Sequence, residues 1–144
     1  MNCTETIETS RHEDAAECVI RMPLGLLGLE QFKRLSLLSN PEQAPFLWLQ
    51  VLDEPKPAFL VISPFVVLPG YQPDIAEEDI RFLGLKHPDD GLIFNIVTVH
   101  SPQRATVNLK GPVLVNRLSL LAKQVIPVNA AQFSAVHPLP LQAD

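Results

Sequence analysis

No apolar run in this sequence reaches the roughly 18 residues that a membrane span needs. The opening stretch, MNCTETIETSRHEDAAEC, is polar and acidic, the reverse of a signal peptide's basic start and apolar centre. The expected location is the cytoplasm, away from membranes. Cysteine is scarce too. Cys3 and Cys18 are expected as reduced thiols there. With His12 they would make an incomplete metal site, since the spacing fits no zinc pattern and a fourth ligand is missing. Two incidental thiols in a solvated tail are the plainer reading.

Glycine is also sparse, 6 residues against 14 prolines. Proline fixes φ and donates no backbone hydrogen bond, so long helices have little room. A surplus of positive charge is missing as well. The net charge of −5 concentrates in residues 1–17 and 74–90, at −4 each, while 91–144 carries +3. Direct nucleic-acid binding is therefore not expected, because affinity there comes mostly from Lys and Arg on phosphates. An acidic segment can instead attract a basic protein, or it can simply keep the chain soluble.

What is present is a globular composition of 144 residues, 47% of them apolar. A chain of that size buries roughly 70% of its unfolded surface, enough for one core. Short apolar runs recur about every ten residues: AECVIRM (16–22), KRLSLL, PFLWLQVL and LIFNIVTVH (92–100). AFLVISPFVVLPGY reads as two strands or one bent edge strand around Pro64. TVNLKGPVLVN (106–116) reads as a hairpin around Lys110-Gly111-Pro112, and QVIPV (124–128) as a last strand. One helix is expected over about 75–84, capped by Asp74 with Glu77 completing a capping box. Residues 1–15 should form a flexible acidic tail, 16–135 a single domain and 136–144 a loose end. Many short strands and one short helix indicate an antiparallel barrel or sandwich.

Catalytic templates fail one after another. His12, His87, His100 and His137 form no metal-binding pair. His100 beside Ser101 lacks a nucleophile elbow. Asp53–Glu54 and Asp89–Asp90 sit in predicted turns, where Asp serves local hydrogen bonding. Gly25 and Gly28 in GLLG have the spacing of an RNA-clamping loop without its basic residues, so an apolar turn with positive φ is the better account. Phe46 and Trp48 share one strand face, as core or as a partner-binding hot spot. No cofactor, metal or catalytic residue is expected, and binding is favoured over enzymatic activity.

PLGLLGLEQF, PFLWLQ, DEPKPAFLVISPF, IVTV with TVNLKGPVLVN, and KQVI follow one another in an order that resembles the flagellar assembly factor FliW family. Leu29 stands where that family usually has Phe. The resemblance spans about residues 16 to 134 and implies a small antiparallel β-barrel-like adaptor. It further implies that the protein binds flagellin and the translational repressor CsrA, relieving repression when flagellin is scarce. An unrelated protein ligand is the alternative. Asn108 and Asn116 would brace the barrel around the Gly111-Pro112 turn. Asp74, Glu77, Glu78 and Asp79, held on a solvated helix face, are the candidate contacts for a basic partner. The free protein is expected to be a monomer.

Overall fold

Short apolar runs bounded by turn residues become most of the strands. In the computed structural model, which describes residues 19–141, Val19–Arg21 (β1), Arg34–Ser39 (β2), Leu47–Val51 (β3) and Ala58–Ile62 (β4) form an antiparallel meander. The expected acidic tail, with Cys3, His12 and Cys18, lies outside the described residues. Register places Leu35 against Val51 and Leu37 against Leu49. One face therefore gathers Ile20, Leu35, Leu37, Leu49, Val51 and Val61 into an inner core. Each fully buried Leu or Val there contributes about 1.5–3 kcal/mol.

Beyond β4 the fold departs from the expected second strand. Pro64 opens a one-turn helix, Pro64–Val67 (α1), because its fixed φ suits the first helical position and its missing N–H is not needed there. A second helix, Glu77–Leu83 (α2), leads into the longest strand, Gly91–Ser101 (β5). The 11 residues of β5 serve three neighbours. Asn95 and Ile96 pair with β4, Val97–Ser101 with Arg104–Val107 (β6), and Gly91–Phe94 with Val113–Asn116 (β7).

The stretch 106–116 is therefore not a hairpin. β6 and β7 both run antiparallel to β5, one along each half of it, and 108–112 loops out between them. Bonds from Asn108 N–H to Ile96 O (3.0 Å) and Leu109 N–H to Ser134 O (2.9 Å) replace those that would close a tight turn. β7 then pairs with Ala122–Gln124 (β8), earlier than the predicted 124–128, since Pro127 has no N–H to give a ladder.

Of the expected loose end 136–144, residues 142–144 lie outside the described residues, and the stretch before them holds a strand. His137–Pro140 (β9) pairs with β6, Ala105 opposite Leu139. Its prolines stand on an edge strand, the one sheet position that tolerates them. Among the described residues the sheet has nine strands and does not close. One isolated parallel bridge, Arg21–Leu121, reaches from β1 toward β8.

Outer faces of the central strands are covered as well. Ile62, Tyr71, Val97, Ala105, Val107 and Leu109 form a second cluster. Phe133 meets the Tyr71 ring edge-on at 4.7 Å, and the Tyr71 hydroxyl donates to Leu109 O at 2.7 Å. Burial pushes the Tyr71 phenol pKa up, partly offset by a hydrogen bond with Asn95. A third, smaller cluster of Leu83, Leu114 and Val125 sits under α2.

Candidate protein-docking surface

α2 is shorter than 75–84 and differently begun. Its N-cap is Ala76, without a side-chain cap bond, and Gly84 ends it in the left-handed region at φ 67°. Asp74 does not cap it. The Asp74 N–H donates to Asn129 Oδ1 at 2.8 Å, and the Asp74 carbonyl accepts from Val128 N–H at 2.7 Å. Those bonds hold residue 74 two positions ahead of the cap. Glu77, Glu78 and Asp79 occupy the first turn, where the positive end of the helix dipole favours them.

The four acids do not form one solvated face. Asp79 is buried and ion-paired with Lys123 from β8, and the same ammonium lies 5.4 Å from the Phe82 ring centre. Glu77 lies 3.8 Å from Arg81 one turn on. Glu78 is exposed and makes no ion pair among the described residues. The pattern of charges along the chain could not reveal this, because Lys123 comes from 44 residues away.

Phe46 and Trp48 divide their work. Phe46 is half-buried against the second cluster, while the half-buried Trp48 donates its indole N–H to Gln43 Oε1 at 2.9 Å. Asn108 and Asn116 are also local ties. Asn108 Oδ1 accepts from Lys110 N–H at 2.9 Å, and the Asn108 carbonyl accepts from Asn95 Nδ2 at 2.8 Å. Asn116 works elsewhere than the Lys110–Pro112 loop. Its amide nitrogen donates to Leu83 O at 2.8 Å, clamping the end of α2. Its amide oxygen accepts from Leu118 and Ser119 N–H groups at 2.9 and 3.2 Å.

Gly25 and Gly28 both have positive φ, 70° and 84°. At Gly25 a Cβ would fall 2.4 Å from Glu30 O, so no other residue fits. Gly111 leaves room for two amides: a Cβ would meet Gln124 Nε2 at 3.1 Å and Asn108 Nδ2 at 3.2 Å. Pro112 is buried beside it, its carbonyl accepting from Val125 N–H at 2.9 Å. Gln124, which sequence reasoning passed over, joins both loops. It accepts from Leu27 N–H at 2.9 Å and donates to Gly111 O at 2.9 Å.

An apolar groove of about 460 Å³ lies beside α2. Ile75, Ile80 and Leu85 line it from α2 and its flanks, Phe65 from α1, and Ile93 and Leu114 from the outer face of β5 and β7. Among the described residues its ionisable lining groups are Lys86 and His87, with no carboxylate. Phe65 remains 48% exposed. A signal existed in the sequence, since Ile75, Ile80 and Leu85 recur around an otherwise charged segment, but only folding sets Phe65 and Leu114 opposite them. Among the described residues, no three of His, Cys, Asp and Glu converge as metal ligands, and no helix is long and apolar enough to cross a membrane. The groove can bind apolar surface, and its described lining holds no paired acid and base.

A family model described as FliW protein matches residues 4–139. The flagellar assembly factor FliW of Leptospira biflexa is 38% identical over 110 residues, 75% of this chain and 72% of that one. Its counterpart in Moorella thermoacetica is 32% identical over 123 residues, 84% of this chain and 77% of its own. A crystal structure of the flagellar assembly factor FliW superposes with a TM-score of 0.75 at 30% identity, covering 84% of each chain.

Proposed function

This chain belongs to the FliW family of flagellar assembly factors, and from that premise we propose that it is a non-catalytic cytoplasmic adaptor, monomeric when free, that binds flagellin and antagonises CsrA. In this reading the level of free flagellin sets how much adaptor remains for CsrA, and so couples flagellin level to flagellin translation. The observation that carries the mechanism is the exposed Glu77–Glu78 pair at the start of α2. A protein that binds RNA must present Lys and Arg to phosphates, and an acidic surface attracts such a protein from a distance. Once docked, the same acids repel phosphate without filling the base-binding site. Asp79 has no part in this surface because Lys123 neutralises it; Asp74, exposed outside the helix, extends it.

Exposed charges are screened beyond about 8 Å at physiological salt, so the effect has a signature. Glu77→Lys with Glu78→Lys should slow CsrA association and weaken displacement of its RNA, with flagellin binding changed less. Association kinetics at two salt concentrations test this. Unchanged, salt-independent association in the double variant would remove α2 from the mechanism.

A further inference from the structure

We infer that the groove beside α2 receives the apolar face of an amphipathic helix, oriented so that carboxylates on that helix meet Lys86 and His87. The inference deepens the function proposed above and rests on it in one respect: flagellin is the partner that supplies the helix.

Three features select this occupant. The lining is aliphatic and aromatic over a volume of about 460 Å³, in the range of about 300–1,000 Å³ typical of binding pockets. That is room for several side chains rather than one. Next, an occupant lies on the face of β5 and β7, where Ile93 and Leu114 project, not along a strand edge that offers ladder groups. An extended segment there would bury N–H and C=O groups without partners, whereas a helix satisfies its own. The third feature is charge. Lys86 and His87 are the ionisable lining residues, so acids flanking the apolar stripe are favoured and basic flanks are repelled. A second copy of this chain cannot serve among its described residues. Its longest helix has 7 residues and already buries Asp79 and Leu83.

Two substitutions attack the groove from opposite sides without touching the inner core. Phe65→Asp places a charge at the half-exposed rim. Gly91→Val fills the floor, where an added Cβ would meet Leu114 and Leu85 at an ordinary 3.7 and 3.9 Å. Binding of each full-length variant to flagellin, and to 20-residue peptides tiling it, is read by fluorescence anisotropy, with CsrA binding as the folding control. Each substitution should weaken flagellin binding by about thirty-fold or more, the effect of losing a hot-spot contact, while CsrA binding persists. Lys86→Glu with His87→Glu should weaken it by about tenfold, and the bound peptide should lose affinity when a proline is placed at its centre. Flagellin binding unchanged in both groove variants would overturn the inference and leave the proposed function standing. Wild-type protein that ignores flagellin would overturn both.

Discussion

Ile93 and Phe94 are neighbours on β5 with different fates. Phe94 joins the inner cluster with Leu35, Leu49 and Val61. Ile93 faces the other way, toward Leu114 and the open groove. The inner face is closed by strands of the same sheet, so its apolar side chains find all their partners within the chain. The outer face is covered piecemeal, by Tyr71 and Phe133 at one part and by the short α2 at another, and among the described residues the cover stops between α1 and α2. Apolar surface on the first face goes to stability; on the second it remains available to another molecule.

The largest effect should come from cutting into each face in turn. Leu35→Ala, at a site with no exposure, should cost about 2–5 kcal/mol in urea unfolding. Phe65→Ala should cost less than about 1 kcal/mol, since the residue is already about half exposed to water. Equal losses would dissolve the distinction between the faces.

The ion pair that fastens α2 comes next. Lys123→Met leaves Asp79 buried without its partner, and the loss should be about 3 kcal/mol. That is the low end for buried pairs, because the Lys123 side chain keeps 25% exposure. Asp79→Leu together with Lys123→Met should recover most of the loss. A double variant no better than the single would mean that the pair does more than fasten the helix.

Asn116→Ala should follow, at about 1–3 kcal/mol, with faster amide exchange at Leu118 and Ser119, whose N–H groups it holds. Unaltered exchange there would place the loss elsewhere.

Asp53 lies on neither face and sharpens the comparison as a control. Backbone N–H groups of Arg34 and Lys33 hold its carboxyl below the ordinary 3.8. A folded pKa lower than the unfolded one gives stability that is full above the unfolded value and fades as pH drops through the folded one. Unfolding midpoints measured from pH 6 to pH 2 should therefore show a small acid loss below about pH 4, flattened in Asp53→Asn and unaltered in Phe65→Ala.

Much of this was legible in the residues. Strands β1 to β5 follow from short apolar runs of strand length bounded by turn residues, and the motif order from PLGLLGLEQF to KQVI carries the family. Both are local properties of the chain. Three expectations failed where a distant partner outweighed local chemistry. TVNLKGPVLVN has the residues of a hairpin, but β5 is long enough to pair with both of its halves separately. HPLP has the residues of a loose end, yet β6 offers an unpaired edge that tolerates its prolines. Asp79 looks like a surface acid in EEDIRFL and is claimed by a lysine from β8. By itself, then, the sequence determined the strand content, the single substantial helix and the family. Only the tertiary structure decided which apolar side chains stay uncovered among the described residues and which acids face solvent, because both depend on contacts between residues far apart in the chain.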